Sequence, residues 1–285
     1  MQKYLAGLAI SGMLMLPGVA AANTKNDFNW SGYMVSGDFS EIQAVAVVPT
    51  IKCKRGSNAE VAFWVGLDGT SGDPLFQDGI EAYCDRQGAH YARWYEIVGI
   101  PGLPVDIRTK ADTGMVPVAY VHAGDTISMS MDIKDRTEVD FEWWGGGPGS
   151  TAAHFWRQTS VPRGARAENN RSAEVVTERV ADLKAPWWSK LFGGVFGDLF
   201  DLADFGQITY KSITVGPQVT QDDVGGPLSQ YSPVQLVLYR TFGLCHDLHI
   251  CTSIDRLVTT SPLTTVKKAG PSRSNSFTST WVRSW

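Results

Sequence analysis

Two short runs about a hundred residues apart hold the side chains whose chemistry stands out in this chain. Gln77 begins Gln77-Asp78-Gly79-Ile80-Glu81, which follows closely on Trp64-Val65-Gly66-Leu67-Asp68-Gly69, and Glu174 lies in Ser172-Ala173-Glu174-Val175-Val176-Thr177-Glu178. A glutamate carboxylate can take a proton from water as the water attacks a carbonyl, then return it to the departing amine. A glutamine amide cannot act as that base. Its oxygen can orient the water and its NH₂ can donate to the developing oxyanion, a role worth roughly a hundred- to a thousandfold in turnover. A glutamine and a glutamate such as Gln77 and Glu174 are the pairing that peptide-bond hydrolysis without a metal or a covalent intermediate would need.

Strands must position this pair, because strand side chains alternate between two faces. Phe63, Val65 and Leu67 share one face of the first run, and Trp64, Gly66 and Asp68 share the other. Ile80 lies opposite Gln77, Gly79 and Glu81, and in Ala92-Arg93-Trp94-Tyr95-Glu96-Ile97 the face of Trp94 and Glu96 lies opposite Tyr95 and Ile97. In the late run Ala173 and Val175 lie opposite Glu174, Val176 and Glu178. An antiparallel sheet with one face in the core and one toward solvent reads this way. An ordinary wet sheet face with no chemistry reads the same.

Strand patterns continue along the chain at Glu41 to Val48, Thr126 to Ile133, Gln207 to Val215, Val234 to Arg240 and Phe277 to Val282. Gly and Pro punctuate the intervals. Many short strands and few helices predict a single all-β sandwich. One stretch differs: the i, i+4 recurrence of Leu191, Val195 and Leu199 beside Phe192, Phe196 and Phe200 predicts a short helical insertion near 183–202. It reads either as packing over one end of the sandwich or as a lid or interfacial helix bordering the site. Gly99 to Pro104 forms a candidate loop beside the groove, and Trp143 to Gly149 reads as an exposed tip with two aromatic anchors.

Residues 1–22 have a basic start at Lys3, an apolar middle and a small-residue end at Ala20 to Ala22, the pattern of a signal peptide removed on export. Residues 23–285 then form one domain, expected outside the cell or in a periplasm. Loss of Lys3 takes the formal charge from −4 to −5, which disfavours nucleic acid as a partner. Cys53, Cys84, Cys245 and Cys251 make an even count, which in an exported chain suggests two disulfides. The short Cys245–Cys251 spacing favours a loop staple there, leaving Cys53 with Cys84, although the sequence does not settle the connectivity. Cys245-His246-Asp247-Leu248-His249-Ile250-Cys251 matches no common zinc spacing.

Further short elements join these runs in order: Asn29-Trp30-Ser31-Gly32-Tyr33, Phe39, Val48-Pro49, Trp94-Tyr95-Glu96, Ala123-Gly124-Asp125, Phe205-Gly206 and Ser276-Phe277-Thr278 with Thr280-Trp281. The ordered set, spanning nearly all of residues 23–285, resembles the glutamic peptidases of the eqolisin family. The resemblance implies a lectin-like (jelly-roll) sandwich of two antiparallel sheets, with the active site on a concave face. It implies Gln77 and Glu174 as the catalytic dyad, and Trp64, Asp68, Trp94 and Glu96 as residues that line or support the substrate groove. It further implies a monomeric, acid-acting endopeptidase on polypeptide substrates, with no metal, no cofactor and no stable membrane anchor. The chain departs from the family pattern at Val175, where Trp is usual, and at Asp78, where Thr is common. Ala92 and Val98 replace Asp and Tyr, and Glu81 replaces Asp; these changes bear on subsite preference. Asn29 follows the leader almost at once, which leaves little room for a long propeptide.

Other readings remain open at this level. Ten Trp and nine Tyr, with Glu138, Asp140 and Glu142 alternating on one strand face, also suit a carbohydrate-binding lectin or a glycosidase, which would need paired carboxyls. A catalytically inactive binding sandwich and a Ser-His-Asp triad assembled from distant positions are the remaining alternatives.

Overall fold

A computed structural model describes residues 23–27, 29–69, 74–98, 121–134, 138–147, 153–160, 172–180, 200–216, 226–242, 252–267 and 273–282. In chain order the strands are β1 (Asn23–Asp27), β2 (Trp30–Ser36), β3 (Glu41–Val47), β4 (Ala59–Asp68), β5 (Leu75–Cys84), β6 (Ala89–Val98), β7 (Thr126–Lys134), β8 (Glu138–Gly146) and β9 (Ala153–Ser160). They continue as β10 (Ser172–Glu178), β11 (Asp201–Leu202), β12 (Gln207–Gly216), β13 (Val234–Phe242), β14 (Thr252–Arg256), β15 (Val258–Thr260), β16 (Thr264–Lys267) and β17 (Arg273–Trp281). A 3₁₀ turn at Leu228–Tyr231 is the only helical element among the described residues. The first sheet runs β1-β13-β2-β10-β4-β5-β6 and the second β15-β17-β12-β3-β7-β8-β9, with short strands added at their margins. Pairing is antiparallel except where β1 joins β13 and β11 joins β4.

The sheets stack because each has one apolar face, and the alternation read from the sequence decides which. Phe63, Val65 and Leu67 of β4, with Ala173 and Val175 of β10, turn inward against Ile42 and Ala44 of β3 and Ile127, Met129 and Met131 of β7. Burying each large aliphatic or aromatic side chain here contributes roughly 1.5–3 kcal/mol. One ion pair sits within this core: Arg93 of β6 reaches Asp78 of β5 at 3.5 Å, both nearly inaccessible to solvent. Burial raises the Asp78 carboxyl against the opposing pull of the Arg93 guanidinium. Asp78 and Val175, the two departures flanking the proposed dyad, therefore point into the core and away from Gln77 and Glu174.

The expected Cys53–Cys84 disulfide is present and ties the approach to β4 to the end of β5. Cys245 and Cys251, the leader over 1–22 and the Gly99 to Pro104 loop lie outside the described residues. So do residues 183–199 of the helical insertion expected near 183–202, whose last two residues instead form β11 (Asp201–Leu202). The amide of Phe200 donates to the carbonyl of Val180, which brings these two described residues together. The tip after β8 is not a pair of exposed anchors, because successive strand residues cannot share a face. Trp143 is buried and Trp144 is exposed.

Candidate active site

The two runs meet on the outer face of the first sheet. Register sets Glu174 of β10 opposite Gly66 of β4, Gly66 opposite Gln77 of β5, and Gln77 opposite Glu96 of β6. Two strand spacings, roughly 9.6 Å, separate the Cα atoms of Glu174 and Gln77. The residue between them has no side chain, so both functional groups can address the same space.

Trp64 floors that space. A Cβ on Gly66 would lie 2.6 Å from Cζ3 of Trp64 and 3.2 Å from Cδ1 of Leu75, so the indole and the leucine lie over the glycine. The other end of the indole is anchored: Nε1 donates to Oε2 of Glu178 at 2.7 Å, and Nδ2 of Asn29 donates to Oε1 of the same carboxylate at 2.9 Å. Trp30 packs edge-on against Trp64, with centroids 5.0 Å apart. Burial pushes the Glu178 carboxyl up to about 7 despite these donors.

Gln77 is held from the opposite side. Its Nε2 donates to Oε2 of Glu96 at 2.9 Å. The amide nitrogen of Gln77 thus faces Glu96. Oε1 of Gln77 is buried without a hydrogen-bond partner among the described residues. One amide hydrogen is thereby committed, leaving the second hydrogen and the oxygen for chemistry.

Glu174 is fully buried, and neither carboxylate oxygen meets hydrogen-bond geometry with a described residue. Burial holds its proton affinity well above the usual carboxylate range; Ser172 tempers the effect and the negative charge of Asp68 adds to it. Asp68 is itself buried at the end of β4, in the left-handed region at φ 71°, with Oδ1 accepting the Gly69 amide at 2.9 Å. Aspartate tolerates that conformation better than most residues.

All six residues singled out from the sequence thus share one face: Gln77, Glu174, Trp64, Asp68, Trp94 and Glu96. The face is not the wet surface that alternation alone implies. Trp64, Asp68 and Glu174 are buried and Gln77 is 6% exposed. The reason is a second apolar cluster, in which Trp64 and Trp94 pack with Met34, Leu75, Val176 and Leu236. Unpaired polar groups are costly in such surroundings and concentrate at functional sites. Sequence reasoning missed the roles of Glu178, Asn29 and Trp30. Glu178 has the same strand parity as Glu174, and Asn29-Trp30 opens the first matching motif, so both carried a usable clue. The described histidines lie elsewhere, with His90 on Asp85, His122 beside Asp125 and His154 on Glu142.

The described residues form a two-sheet β-sandwich with a buried polar face on its first sheet. Residues 28–227 match the Peptidase A4 family, and the chain belongs to that family. Its structure resembles that of scytalido-glutamic peptidase with a transition-state analogue inhibitor, at TM-score 0.60 and 17% identity over 90% of this chain and 99% of that one. It also resembles SCP-B, a member of the eqolisin family of peptidases in a complex with a tripeptide, at TM-score 0.54 and 18% identity over 90% and 99% of the respective chains. At these identities the likeness establishes the fold. No curated protein sequence matches the chain.

Proposed function

We propose that this protein is a glutamic endopeptidase that hydrolyses polypeptides with Glu174 and Gln77. The observation that carries the reading is the shared rung, on which the two side chains flank Gly66 over a Trp64 floor. Ionised Glu174 takes a proton from water as the water oxygen bonds to the substrate carbonyl carbon. The carbonyl oxygen gains charge and accepts the remaining Nε2–H of Gln77, which Glu96 holds in place. The carbon–nitrogen bond then breaks, and Glu174 returns its proton to the leaving amine. Water is consumed, one carboxyl and one amine are released, and Glu174 ends as it began.

Trp64, Trp94 and Asp68 shape and charge the site in this scheme. The raised proton affinity of Glu174 makes it a stronger base once ionised, and it sets the acid limit of activity above the usual carboxylate range. We further infer export, from the leader-like residues 1–22 and from the Cys53–Cys84 disulfide, which suits an oxidising compartment.

The test is cleavage of an unfolded protein by the purified 23–285 chain across pH 2 to 7, with chelator, followed by sequencing of the new termini. Internal cleavage that survives chelator supports the reading. Failure to cleave at any pH, or loss of cleavage with chelator, would contradict it.

A further inference from the structure

The outer face of the second sheet carries a separate feature that the peptidase reading does not use. Register builds one rung from Val45 of β3, Ser128 of β7, Trp144 of β8 and His154 of β9. The neighbouring rung is Val47, Thr126 and Gly146, and Gly146 leaves it open beside Trp144. Between the valine ridge and the tryptophan lies a trough of about 450 Å³. Its floor is Thr126 and Ser128 with the backbone of residues 145–147, and no charged side chain lines it.

Trp144 is held as a fixed wall. His154 stacks on its ring with centroids 3.7 Å apart and planes within 14°. Oε1 of Glu142 accepts Nε1–H of Trp144 at 3.0 Å and contacts Nε2 of His154 at 2.9 Å. One ring face and the only indole donor are thus already committed, yet the residue remains 50% exposed. What it offers is a rigid, open π-face. Trp156, 52% exposed, pairs with Glu142 on the following rung and so stands diagonally beside Trp144, roughly 7–8 Å away. Exposed aromatic surface held in this way marks a binding site more often than chance exposure does.

We propose that this face binds a neutral, β-linked polysaccharide. A pyranose ring has an apolar face of axial C–H groups and a rim of hydroxyls. The first matches the open face of Trp144, and the second matches the Thr126 and Ser128 hydroxyls and the glycine-rich backbone. An uncharged lining suits an uncharged ligand, and a volume of this size suits a small ligand segment. Trp144 and Trp156, diagonal neighbours on β8 and β9, form an extended row that suits an extended ribbon of sugars better than a coiled one. The platform lies on the opposite sheet from Glu174, so a peptidase anchored through it would keep its cleft free.

The test is depletion of the purified 23–285 chain from solution by microcrystalline cellulose and by chitin, compared with Trp144→Ala and Trp156→Ala. Both variants are also assayed for melting and for cleavage of a short soluble peptide, which report folding and, separately, the peptidase site. Binding of the unsubstituted chain to either polymer, reduced at least tenfold by Trp144→Ala and less by Trp156→Ala with melting unchanged, is the expected result. Retention on neither polymer, or equal retention of Trp144→Ala, would overturn the proposal. So would sedimentation showing a dimer that Trp144→Ala dissociates, because the face would then be a contact between copies.

Discussion

β7 and β10 alternate apolar and polar residues in much the same way, yet only β7 shows its polar side to water. Along β7, Thr126 and Lys134 are exposed and Ser128, Ser130 and Asp132 half-buried, while Ile127, Met129, Met131 and Ile133 are buried. Along β10, every residue from Ser172 to Thr177 is buried, Glu174 included. The difference arises above the strands. On the β10 side Trp64 and Trp94 pack into a second apolar cluster; on the β7 side the neighbours across β8 are Gly146, Trp144, Glu142, Asp140 and Glu138, and the one indole among them stands half-exposed outside any such cluster. Alternation therefore reports which face a residue takes, and the large side chains across the sheet decide whether that face is wet. A carboxyl kept dry and unpaired works against stability, which is why the dry face is where function belongs.

After loss of the Glu174 carboxylate itself, Gln77→Ala should have the largest effect among changes that sharpen this contrast. It removes the proposed oxyanion donor, and turnover on a peptide substrate should fall roughly a hundred- to a thousandfold, with melting little changed. Gly66→Ala comes next. The added methyl would sit 2.6 Å from the Trp64 ring, so the floor must shift and kcat should drop on the order of a hundredfold, as misplacements of about 1 Å do. Matched changes on the wet face, such as Ser130→Ala, should leave both activity and stability within about 0.5 kcal/mol.

Two smaller effects concern protons. Asp68→Asn keeps the acceptor for the Gly69 amide and suits a positive φ, but removes the charge that raises Glu174. The acid limb of kcat/KM should therefore move to lower pH; a limb that stays in place or rises would separate Asp68 from Glu174. In the folded chain burial raises the proton affinities of Glu174 and Glu178 above the ordinary carboxylate range, Glu178 to about 7. The stabilisation from protonated Glu178 is fully present below the ordinary carboxylate range and is lost as pH rises through about 7, and Glu174 acts in the same direction. Thermal melting should accordingly occur at higher temperature at pH 4 than at pH 8, and Glu178→Gln should lessen that difference.

Much of this site was legible in the sequence because strand parity is local. The split of Trp64, Gly66 and Asp68 from Phe63, Val65 and Leu67 needs only neighbouring residues, and it held on all four strands. The resemblance supplied the pairing of Gln77 with Glu174, and register then showed why Gly66 matters: it lies between them. Register depends on partners a hundred residues away, so no single run could reveal it. The dryness of the face was illegible for a related reason, since Trp64 lies along the sheet and covers its neighbours. Glu178 escaped notice because its role is exercised through Trp64, a partner 114 positions distant.

The central claim is that the dry face of β10 carries the catalytic base. Glu174→Gln tests it most directly, because the amide preserves shape and removes the titrating group. The account predicts a fall in kcat/KM of roughly a hundred- to ten-thousandfold, with a melting temperature at pH 7 equal to or above that of the unsubstituted chain. A variant that remains folded and cleaves within a few-fold of the original rate would contradict it.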